Sequence, residues 1–93
     1  MMLNNLVIEG VVVRPPERAA NGEVIFTIEN DSPAGRFDVL IVTEELLAER
    51  TLERVQNDSL VRIVGALDCT FAIIANHIEV PKPNGRYAPL ISP

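Results

Sequence analysis

Residues 36–67 read RFDVLIVTEELLAERTLERVQNDSLVRIVGAL, and a change of period inside this stretch organises everything around it. In Arg36–Thr43, Phe37, Val39 and Ile41 alternate with Arg36, Asp38, Leu40 and Val42. That is the period of a strand, with the first set expected inward and the second outward. Thr43-Glu44-Glu45 then offers a Thr cap followed by acids that suit the positive end of a helix dipole. Leu46, Leu47, Leu52 and Val55 supply an apolar stripe with charges on the other side. Asn57-Asp58-Ser59 closes the helix, and Ser59–Leu67 returns to strand, with Val61 and Ile63 inward and Arg62 outward.

On the N-terminal side, Leu3–Val13 (LNNLVIEGVVV) is β-branched and without helical periodicity. Gly10 interrupts this strand and predicts a bulge or a close backbone approach. Pro15 and Pro16 end it, and Asn21-Gly22 is a turn before Glu23–Asn30 (EVIFTIEN), the second strand. Asp31–Gly35 is turn chemistry again. On the C-terminal side, Phe71–Val80 (FAIIANHIEV) is a fifth strand, separated from the fourth only by Asp68-Cys69-Thr70. Pro81, Pro83, Pro89 and Pro93 predict an extended tail over 81–93, leaving residues 1–80 as the folded domain. The resulting order, β-β-β-α-β-β, is all-β with one helix. It is the connectivity of an OB-fold, a five-stranded Greek-key barrel whose helix plugs the bottom.

A chain of 93 residues has room for one domain. Cys69 and His77 are the only cysteine and histidine, so no disulfide and no Cys/His zinc site can form within one chain. No nucleophile elbow, phosphate-cradling loop or H-E-x-x-H is present, and Glu44, Glu45, Glu49 and Glu53 read as a wet helix face. The expectation is a protein that is not an enzyme and uses no metal or cofactor. No apolar run approaches the ~20 residues of a spanning helix. MMLNN does not open a signal peptide, and a lone cysteine fits a reducing cytoplasm. The formal charge is −5, of which −3 falls within Glu44–Asp58. A strand face remote from the helix is therefore left near neutral.

The residues resemble the single-stranded DNA-binding protein family, including its relative primosomal replication protein N. Asn4-x-Leu6-x-Ile8-x-Gly10 is similar to the family's first strand, and Arg14-Pro15-Pro16-Glu17 to its Arg-Asp-Pro-Glu. Gly22 with Phe26-Thr27-Ile28, then Phe37-Asp38-Val39, resemble strands two and three. Asp58–Val61 with Val64–Leu67 resemble strand four, and Ala75–Val80 the closing strand. The chain departs from the pattern in having no Trp, Arg36 and Val42 where the family carries aromatics, and a short loop between strands four and five.

The resemblance implies an OB-fold that binds single-stranded DNA in replication, repair or recombination. It also implies a homodimer or homotetramer, often joined through the first strand, and other replication proteins as further partners. Such binding needs cations along the phosphates and exposed π-faces for the bases. The candidate nucleic-acid-binding residues are Arg14 and Arg18 in the first hairpin loop, outward Arg36 and Arg62, and Phe71. Each has a plainer reading: solvated loop charge, a surface ion pair, or a core or interface Phe. The outward Leu40, Val42, Leu60 and Val64 support an alternative, an OB-fold protein–protein interaction module that has lost nucleic-acid binding.

Overall fold

The computed structural model describes residues 5–91. Among these, β1 spans Leu6–Arg18, β2 Val24–Ser32, β3 Gly35–Thr43, α1 Glu45–Arg54, β4 Leu60–Leu67, β5 Ile73–Pro81 and β6 Tyr87–Pro89. The sheet order is β3-β2-β1-β4-β5-β6, and a short parallel ladder, Ile41↔Ile73 and Val42↔Ile74, joins β3 to β5. That ladder closes β1–β5 into an OB-fold barrel, in the element order read from the sequence. Phe26, Ile28, Ile41, Ile63, Ile73 and Ile78 fill the interior, each at most 1% exposed. No described helix is long and apolar enough to cross a membrane.

Strand β1 serves both halves of the barrel, pairing with β4 over Leu6–Val11 and with β2 over Val11–Arg18. It runs past Pro15 and Pro16, contrary to the expectation that they end it. A register shift between Arg14 and Glu17 absorbs the two prolines, which cannot donate to a ladder, and another falls just before them, between Val12 and Arg14. The expected start at Leu3 lies outside the described residues. Gly10 makes a close approach: a Cβ there would fall 2.6 Å from the Glu29 carbonyl oxygen.

Four local expectations are corrected. Thr43 does not cap α1; its hydroxyl donates to the Val24 carbonyl at 2.7 Å, and Glu44 is the N-cap, without a side-chain hydrogen bond. The helix buries Leu47, Ala48 and Thr51, with Val55 just beyond its end, while Leu46 and Leu52 stay exposed. Phe37, expected inward, is 49% exposed, because it lies beyond the Ile41–Val42 seam, where β3 still pairs with β2 but no longer with β5. Val42, expected outward, is buried, flanked by Ile25 on β2 and Ile74 on β5.

The segment after Pro81 is not wholly without structure. A turn at Lys82–Gly85 returns the chain so that Tyr87–Pro89 pairs with Pro81–Glu79, and Leu90 is buried with its N–H donating to the Ile78 carbonyl at 2.9 Å. One apolar anchor and one short ladder hold it in place.

Candidate nucleic-acid interface

The outer face of β2 and β3 is set by their register: Thr27↔Leu40, Glu29↔Asp38 and Asp31↔Arg36. Arg36 is 70% exposed and loosely held, 4.0 Å from Glu29 and 3.8 Å from Asp31. Ion pairs this exposed contribute about 0–1 kcal/mol, so a phosphate can recruit the guanidinium at little cost. Beside Leu40, Thr27 and Ile25, the kinked part of β1 brings Arg14 and Pro15 around a depression of about 300 Å³. Arg14 has no ion-pair partner among the described residues.

At the barrel end remote from α1, β1 and β3 begin and β4 finishes. There Leu6, Ile8, Phe37, Leu67, Phe71 and Ile73 line an apolar groove of about 320 Å³. Phe71 is 78% exposed, and its φ of 65° is the left-handed region that a bulky L residue rarely occupies. The turn that holds it is built on Asp68. One carboxylate oxygen accepts from the Thr70 N–H at 2.8 Å, the Thr70 hydroxyl at 2.7 Å and the Ala72 N–H at 3.1 Å. The hydrogen bonds from Thr70, its hydroxyl foremost, hold the Asp68 carboxyl below its ordinary pKa. A single polar anchor thus presents an aromatic face to solvent opposite Phe37.

The structure puts Arg14 and Arg36 on the outer face of β2 and β3, and Phe71 in the separate groove at the barrel mouth beside Phe37, the neighbour of Arg36 in β3. It does not bring the other two candidates to either place. Arg18 lies on β1 rather than in a loop, bonded to the Glu49 carboxylate and to the Gly22 carbonyl at 3.0 Å. Arg62 is on the opposite wall, formed by β1, β4 and β5. Its guanidinium bonds Glu9 at 3.0 Å, lies 3.4 Å from Glu79, and stacks over the Tyr87 ring 4.1 Å from the centroid. The hydrogen bond with Glu9 leads the effects that raise its pKa further. Around this centre, Val7 pairs with Val64 and Val11 with Leu60, so apolar rows flank the ionic one.

Sequence reasoning misses Phe37 as a surface aromatic. Its only signal is the shortness of the loop between strands four and five, which leaves the barrel mouth uncovered.

No protein-family model matches the sequence, and no curated protein matches it significantly. Solved structures do match in fold. The small single-stranded DNA-binding protein from Streptomyces coelicolor superposes with a TM-score of 0.73 at 18% identity, over 86% of this chain and 91% of that one. The SSB domain of a Synechococcus protein gives 0.71 at 14% identity, over 82% and 93%. Part of TiaS, in its complex with a transfer RNA, AMPCPP and agmatine, gives 0.67 at 18% identity, over 84% of this chain and 19% of that one. These likenesses place the chain among OB-fold barrels.

Proposed function

We propose that this chain is a single-stranded DNA-binding protein of the family that it resembles, binding across β3 and the open barrel mouth. Phe71 and Phe37 stack bases, and Arg36 and Arg14 meet the phosphates. The observation that carries this reading is Phe71, an aromatic 78% exposed in a conformation that disfavours it, facing a half-exposed second aromatic in one groove. Strain of this kind concentrates at functional sites. The matching barrels support the same reading, because one of them bears the name single-stranded DNA-binding protein and another the name SSB domain. The reading extends to a cytoplasmic homodimer or homotetramer, joined by the Val7–Val64 and Val11–Leu60 rows, working beside other replication proteins.

The test is fluorescence anisotropy of labelled oligo(dT) at about 20 and 200 mM salt. Two phosphate contacts give a slope of about −1.4 in log K against log salt, roughly a 25-fold loss across that range. Arg36→Ala should halve the slope. Absence of binding at low salt would sink the proposal.

A second reading, an OB-fold interaction module without nucleic-acid binding, draws on the excess of acid on the β2–β3 face, where Glu29, Asp31 and Asp38 surround Arg36. With Val42 buried, it requires that alanine at Leu40, Leu60 and Val64 abolish a protein contact while oligo(dT) never binds.

A further inference from the structure

Strand β5 is sealed unevenly along the edge that faces β3 and β6. Ile73 and Ile74 pair with β3, and Glu79–Pro81 pair with β6. Between these seams, Ala75, Asn76 and His77 have no strand partner on that edge among the described residues. A groove of about 350 Å³ opens at the gap. Its apolar surface comes from Leu46 and Leu47 of α1, Ile74 and Ala75 of β5, and Ile91. Leu46 is 50% and Ile91 39% exposed, more apolar surface than the fold itself needs there.

Glu44 and Glu45 form the rim of the groove, and the adjoining depression adds Glu23. Elsewhere on the helix, Arg18 engages Glu49 and Arg50 engages Glu53, but Glu44 and Glu45 have no cation beside them among the described residues. Two full negative charges outweigh the roughly half positive charge of the α1 N-terminus, so the rim attracts cations.

We propose that this groove docks an extended peptide segment of a partner protein in which basic and apolar residues alternate. The segment adds to β5 as a short strand, its backbone meeting the unpartnered edge at Ala75–His77. Its apolar side chains lie on Leu46 and Ile91, and its cations meet Glu44 and Glu45. The same carboxylates repel nucleic acid. The groove also lies at the α1 end of the barrel, away from Phe37 and Phe71, so peptide and DNA use different surfaces.

The probe is the capped hexapeptide Lys-Val-Lys-Ile-Lys-Val, titrated into the full chain and followed by amide chemical shifts. Shifts should concentrate at Ala75–His77, Leu47 and Ile91. The double variant Glu44→Lys, Glu45→Lys should weaken binding by about fivefold, the worth of two exposed ion pairs. An analogue N-methylated at alternate residues should bind far more weakly, because it lacks the donors a β-ladder needs. Oligo(dT) affinity measured on the same variant should not fall, so a failure of the peptide site and a failure of the DNA reading are told apart. The proposal is overturned if those amides do not move at millimolar peptide. Equal binding of Glu-Val-Glu-Ile-Glu-Val would also overturn it, as would the same shifts appearing with protein concentration alone, which would make a second copy the occupant.

Discussion

Replacing Phe71 with glycine should raise stability and lower DNA affinity at once. The left-handed conformation at φ 65° costs an L residue about 1–2 kcal/mol, which glycine does not incur. Against this, glycine loosens the unfolded chain by about 0.4–1 kcal/mol. Little packing is lost, because the ring is 78% exposed. The backbone bond from residue 71 N–H to the Asp68 carbonyl, 3.2 Å, is available to glycine as well. The net gain is about 0–1.6 kcal/mol, and its central value of about 0.8 kcal/mol raises Tm by about 3–6 °C for a domain of this size. Losing one base stack costs about 1–3 kcal/mol, or roughly 5- to 150-fold in oligo(dT) affinity. Thermal melts and anisotropy on the same preparation read both numbers. Phe71→Ala separates the causes, since it deletes the ring but keeps the strained backbone: affinity should fall equally while Tm does not rise. An unchanged affinity in both variants would refute the stacking role. A lower Tm for Phe71→Gly would refute the account of the strain.

The Thr51 hydroxyl is buried in α1 with no hydrogen-bond partner among the described residues, so Thr51→Val should stabilise the fold by about 1 kcal/mol in urea melts. A loss of stability instead would mean that the hydroxyl has a partner. The folded Asp68 pKa is depressed, so the turn's contribution is fully present above the ordinary value of about 4 and is lost as pH falls through the lower folded value. Amide shifts of Thr70 and Ala72 should therefore titrate below pH 4, and a midpoint at or above 4 would contradict the geometry. Tyr87→Ala removes the ring under Arg62, worth about 0.5–1 kcal/mol at an exposed site. Hydrogen exchange at Leu90, bonded to Ile78 across the end of β6, should accelerate while that at Ile63 does not.

How much of this is legible in the sequence depends on whether a residue's environment is set by its near neighbours. The switch of period at Thr43 marks the end of β3 and the start of α1, and alternation assigns Val39, Ile41, Val61 and Ile63 inward, as the structure has them. Alternation reports parity but not where the barrel closes. Phe37 shares the parity of Ile41 and yet faces solvent, because the β3–β5 seam stops at Ile41. Pro15-Pro16 reads as a stop, since nothing local shows that a register shift between Arg14 and Glu17 will accommodate it. Arg62 is the same problem at long range: its carboxylate partner, Glu9, lies 53 residues away. The exposure of Phe71 follows from a backbone angle that the side chain itself opposes, so propensity points away from it.

The charge pattern bears on how such a barrel could hold DNA at all. Arg18, Arg36, Arg50 and Arg62 are each engaged by carboxylates, which leaves Arg14 as the cation on the β2–β3 side with no ion pair among the described residues. Surface pairs are weak enough for Arg36 to change partners. Arg62 is different, because leaving its site breaks a hydrogen bond to Glu9, a contact with Glu79 and the stack on Tyr87 together. On the proposed reading, phosphate contacts are thus few, and two stacked bases at about 1–3 kcal/mol each would have to supply most of the affinity. Binding should then show a salt slope of only about −1.4 in log K and fall roughly 5- to 150-fold with loss of either aromatic, a shallower salt dependence than that of a protein that tracks the backbone with a basic groove.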